Sequence, residues 1–94
     1  ERIWAVIGQW TGDWAEHTLL LLDGEGRVAK RQSLDAWRMK GGTPLQFDPV
    51  SGRLLLTVIR EQQHDAHPAL IDAESLQLQE VLPIAVEQAV WLNP

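Results

Sequence analysis

The sequence predicts an all-β protein, built as two four-stranded antiparallel units whose phase does not match the ends of the chain. Three observations carry that expectation. Apolar runs of strand length, rich in Ile, Val, Leu and Trp, alternate with clusters of turn residues. No stretch sustains the 3.6-residue periodicity of an amphipathic helix. The second half also repeats the layout of the first: 2–7 (RIWAVI) is answered by 53–59 (RLLLTVI), and 18–23 (TLLLLD) by 68–72 (PALID). The last residues, 90–94 (VWLNP), answer to 45–49 (LQFDP), a segment that precedes a unit instead of following one.

The elements follow in order. The run 2–8 is apolar on both faces, with Ile3, Ala5 and Ile7 opposing Trp4 and Val6. A long connection, 9–17, leads to a second strand at 18–22. Asp23-Gly24-Glu25-Gly26 then makes a hairpin turn, since Gly supplies positive φ and Asp favours turn starts. The strand at 27–33 interleaves Lys30, Arg31, Gln32 and Ser33 with Val28 and Ala29, the pattern of a half-exposed outer strand. Only 34–40 has room for a helical turn, because Gly41-Gly42 follow at once. A strand at 44–47 ends in the turn Asp48-Pro49-Val50-Ser51-Gly52. The run 54–60 is again apolar on both faces. Strands at 68–71 and 76–82 flank a turn at 72–75, and 87–92 makes an eighth. A sheet with one wet face would alternate apolar and polar residues; the inner runs do not, so each sheet needs cover on both sides.

Composition narrows the function. With 94 residues the chain is one small domain, and 45% apolar residues including five Trp provide a core. The absence of Cys removes disulfides, thiolate metal sites and thiol nucleophiles, and is compatible with cytoplasm or periplasm alike. A formal net charge of -5 with dispersed basic residues argues against nucleic acid or an anionic membrane as partner. No apolar run approaches the roughly 20 residues of a membrane helix. Glu1 in place of an initiating Met leads us to expect a chain cleaved, trimmed or cut from a longer one. Gly24 and Gly26 close a hairpin and open no helix, which removes the dinucleotide-binding reading.

The run LQFDPVSGRLLLT at 45–57, with HPALID at 67–72 and LQEVL at 78–82, resembles one blade of a bacterial β-propeller, and the first half resembles a degraded copy of it. The resemblance implies four strands per blade and implies nothing specific about function, because propellers serve unrelated tasks. Approximate repeats are then 1–43 and 44–86, with 87–94 as the inner strand of a further or swapped blade. Two blades do not close a ring. Either copies assemble head to tail, three chains giving six blades, or other propeller segments complete the ring. A monomeric eight-stranded sandwich or barrel is the third possibility.

On this reading the long connections 9–17, 34–43 and 61–67 share one end of the strands. They hold Trp10, Asp13, Trp14, His17, Trp37, Arg38, His64 and His67, the candidate ligand-binding residues. Trp10 and Trp14 with Trp37 and Arg38 would offer a platform to a protein, peptide or sugar, or fold back as a lid on the core. The favoured function is therefore a noncatalytic binding module without a cofactor. The alternative is part of a propeller enzyme or a metal-binding propeller using the imidazoles of His17, His64 and His67. Trp4 and Trp91 are assigned to the core, and Asp23, Asp48 and Asp72 to turns.

Overall fold

The computed structural model describes residues 1–12 and 14–92, the side chains of Thr11 and Trp14 excepted. Among these residues there are eight strands and no helix: β1 (Ile3–Thr11), β2 (Trp14–Leu22), β3 (Val28–Ser33), β4 (Trp37–Met39), β5 (Leu45–Asp48), β6 (Arg53–Arg60), β7 (Ala66–Asp72) and β8 (Leu78–Val81). They form two antiparallel sheets. One has the order β1-β2-β3; the other has β4-β6-β7-β8, with β5 also paired to β6. β4 and β5 lie end to end along one edge of β6. Trp37 faces Arg60 and Met39 faces Val58, then Leu45 faces Leu56. The residues between them loop out opposite Thr57, whose carbonyl accepts the Lys40 N–H at 2.9 Å. The second sheet is thus four strands wide, its edge strand interrupted once.

Three expectations need correction. The segment 34–40 holds no helical turn: a tight turn closes from Trp37 N–H to Leu34 O, Asp35 takes φ 54°, and β4 follows. The connection 9–17 is not a long loop. β1 and β2 continue to Thr11 and Trp14, which pair with each other, and Gly12 after Thr11 takes φ 72°. Finally, 87–92 forms no strand. It crosses the second sheet instead, with Ala89 N–H donating to Thr57 Oγ1 and Trp91 N–H to Gln46 Oε1.

The pairings in the two sheets run in step. Ile3 faces Leu22 and the ladder continues to Gly8 opposite His17; Leu54 faces Ile71 and continues to Ile59 opposite Ala66. The outer strands shift register at the same place. Leu21 pairs with Lys30 and Leu22 with Val28, passing over Ala29; Leu70 pairs with Glu80 and Ile71 with Leu78, passing over Gln79.

The core lies between the sheets. Leu19, Leu21, Trp4 and Val6 from the first pack against Leu54, Leu56, Val58, Ala69 and Ile71 from the second. A molecule only 21 Å in its shortest dimension holds two layers about 10 Å apart and little more. Trp4 ties the layers together: its ring stacks on Phe47 at 4.6 Å and its indole N–H reaches Ala73 O at 2.8 Å. The two sheets share one interior, as a sandwich would, but they remain separate and close no barrel.

Side chains alternate across each strand, so Ile3, Ala5, Ile7, Leu20 and Leu22 point away from the core. Ile3, Ile7 and Val28 stay 46–49% exposed on that outer face. The outer face of the second sheet carries Leu55, Thr57, Ile59 and Leu70, and the segment 86–92 lies over it.

Three aspartates organise the turns at the far end. Asp23 accepts backbone N–H bonds from Glu25 and Arg27, Asp48 from Val50 and Ser51, and Asp72 from Glu74 and Ser75. These donors hold all three carboxyls below their ordinary pKa. The strongest contributions come from the Arg27 N–H, the Ser51 hydroxyl and the Ser75 N–H respectively. They are turn-formers.

Candidate functional site

The opposite end of the stack gathers the β1–β2 reversal, the turn after β3 and the 61–65 connection. Trp10, near the tip of β1, is 72% exposed. His17 faces Gly8 on β2's ladder, and a Cβ at Gly8 would stand 2.7 Å from the imidazole. Any larger residue at position 8 would force the His17 ring to shift. So placed, His17 Nδ1 accepts the Met39 N–H at 2.7 Å, a bond from one sheet to the other. Burial, with the positive charge of Arg38 as a second cause, lowers the His17 pKa.

The direction of that shift gives a testable result. The unfolded imidazole, near pH 6.5, binds its proton before the folded one. The stabilisation is complete above that value and is lost as the pH falls below it, until the folded imidazole also titrates. Urea midpoints at pH 7.5 and 5.5 are expected to differ more for the native chain than for His17→Gln. Equal differences would remove His17 from this role.

Trp37 and Arg38 sit on β4 and are half-buried. The Arg60 guanidinium stands 5.3 Å above the Trp37 ring. Beside them opens a groove of about 360 Å³, lined among others by Gln32, Asp35, Trp37, Arg60 and Gln77. Gln77 Nε2 donates to Gln32 Oε1 at 3.1 Å, linking the sheets at the groove wall. A second hollow of about 320 Å³ includes Lys40, His64, Asp65 and Glu87. His67 faces two carbonyl oxygens through Nδ1, Leu82 at 3.2 Å and Ile84 at 2.9 Å. Both partners are acceptors, so Nδ1 carries the hydrogen and His67 anchors the chain after β8.

The candidate residues therefore divide. His17 lies within reach of the Arg38 charge, while Trp37 is paired with Arg60. His64 borders the second hollow, and His67 serves the backbone. Trp10 stands out at the hairpin. Asp13 and the Trp14 side chain lie outside the described residues. Among the described residues, no group of three or more His, Asp or Glu is placed to hold a metal ion, and His17, His64 and His67 are not gathered in one such group. Sequence reasoning missed Arg60, Asp35, Gln32 and Gln77. It also missed the signal of Gly8, a glycine inside an apolar run, which marks a close approach.

No protein-family model matches the chain, and comparison with curated proteins and with solved structures finds no match either.

Proposed function

We propose that the chain is a noncatalytic interaction module of the β-propeller type. Its two blades assemble with neighbours into a ring and present the Trp10, Trp37 and Arg38 end to a protein, peptide or sugar. The observation that carries the reading is the strand pairing. β1-β2-β3 and β6-β7-β8 keep the same register and the same bulge, although their sequences differ at most positions. Two stacked meanders with matching irregularities are what successive blades require. The outer face of the first sheet supports the need for neighbours, since Ile3, Ile7 and Val28 expose an apolar surface that another blade would cover.

At the recognition end, an exposed indole, a cation over a second indole and an adjoining groove combine flat apolar area with polar anchors. Light scattering at micromolar concentration is expected to give a mass that is a multiple of the single-chain 10.6 kDa. Arrays of peptides and oligosaccharides are expected to retain the protein. Trp10→Ala should lose that retention without a change of mass. A single-chain mass, or retention indifferent to Trp10, would count against the proposal.

A further inference from the structure

The first sheet is one strand narrower than the second, and we infer that a second copy of the chain supplies the difference. Residues 90–92 of one copy add as the inner strand beside β1 of the next. The inference rests on the propeller-type reading and names the partner in that assembly.

β6 is paired on both sides, whereas β1, its counterpart in register, is paired only with β2. From Ile3 to Thr11 that open edge carries no charge and no proline. Edges are normally guarded by such residues, and β3 is guarded by Lys30 and Arg31. The orientation of the open edge also follows from β6. The Thr57 carbonyl points toward β4 and β5, where it accepts the Lys40 N–H. Backbone groups alternate along a strand, so the matching residues Trp4, Val6 and Gly8 present theirs to the open side.

The occupant is identified by sequence. β5 pairs Leu45 with Leu56 and Phe47 with Leu54, and the run at 90–94 repeats 45–49. Carried to β1, the same register sets Val90 opposite Ala5 and Leu92 opposite Ile3; Asn93 and Pro94 lie outside the described residues. On its own chain Trp91 is held by Gln46 through both its backbone groups and lies 5.8 Å from the Arg53 guanidinium, contacts that strand exchange has to replace, but its neighbours are loosely covered. Val90 is 50% and Leu92 92% exposed, and the buried Trp91 indole N–H finds no acceptor among the described residues. Buried polar groups are seldom left so.

Charge complementarity points the same way. Arg2 of the first sheet forms an ion pair with Glu74 of the second. Their counterparts by register are Arg53 and Glu25, on the faces that two successive copies would bring together. The contact is head to tail, different surfaces meeting at each junction.

Cysteine pairing tests this in a chain that has no Cys of its own. Ala5 and Val90 lie on opposite outer faces of one molecule, so a disulfide between them must join two copies. Ala5 turns its backbone groups toward β2, making Ala5 and Val90 a non-hydrogen-bonded pair with Cα atoms about 4.5 Å apart, within disulfide range. Mixed Ala5→Cys and Val90→Cys proteins are expected to form a covalent dimer more than about tenfold faster than Val50→Cys mixed with Val90→Cys, as the effective concentration of a docked pair dictates. Deleting residues 88–94 is expected to reduce the mass to one chain. If cross-linking does not exceed the control and a multimer survives the deletion, strand exchange is wrong while the module reading stands on face-to-face contact. If the intact protein is a single chain at 100 times the concentration used for light scattering, roughly millimolar at most, both fall.

Discussion

Trp4→Ala is expected to lower the unfolding free energy by about 3 kcal/mol, the low end of the range for removing a large aromatic side chain, since Trp4 is partly buried. Small domains have only about 5–15 kcal/mol in total, so this change alone removes a large share of it. The size follows from position. Trp4 belongs to the first sheet, yet its ring stacks on Phe47 of the second at 4.6 Å with 24° between planes, and its N–H bonds to Ala73 O beyond β7. One truncation therefore removes packing, a stacked pair and an inter-sheet hydrogen bond together. Trp4→Phe separates these contributions: it keeps an aromatic ring against Phe47 and loses the bond to Ala73, at a cost nearer about 1 kcal/mol. Urea titration of both variants, at one fixed protein concentration so that association cancels, would settle the matter. Equal effects would mean that the hydrogen bond, and not the packing, joins the sheets.

Leu56→Ala is expected to cost about 2–5 kcal/mol. Leu56 is fully buried at the middle of β6, with Leu54 and Val58 beside it on the same face and Leu19 among the residues it meets in the core. β6 has ladders on both sides, which leaves little freedom to collapse around a lost side chain, so a cavity should persist. Leu56→Met, which conserves volume, is expected to cost less than about 1.5 kcal/mol. A Leu56→Ala loss below that of Leu56→Met would show that the inter-sheet space is not the core described.

Much of the fold was legible because apolar runs such as RLLLTVI stand between Asp, Gly and Pro turns that fix their ends. The polar sequence of β3 also announced an outer strand, and its side chains are mostly exposed. β4 was not legible. Three residues, Trp37 to Met39, are too few to show a period, and their strand character comes from β6 alongside. The extension of β1 and β2 was obscured by Gln9, Glu16 and His17, polar residues that the ladder tolerates beyond the edge of the core. At 87–92 the composition of a strand was present, yet the segment bonds to the side chains of Thr57 and Gln46 and pairs with no strand backbone, so composition alone did not make a strand. The Trp37–Arg60 pair depends on the register of β4 with β6, which no single-sequence pattern encodes.

If copies join through the ladder of donors and acceptors left unmatched along β1, nothing in that ladder counts how many molecules take part. Growth stops only if the turn from one molecule to the next brings the last back to the first; otherwise it runs on as a fibre. The bulges at Ala29 and Gln79 matter here, because such kinks increase local twist. Should copies join there, the added twist would help set that angle, and with it whether a concentrated solution holds closed particles or sets to a gel.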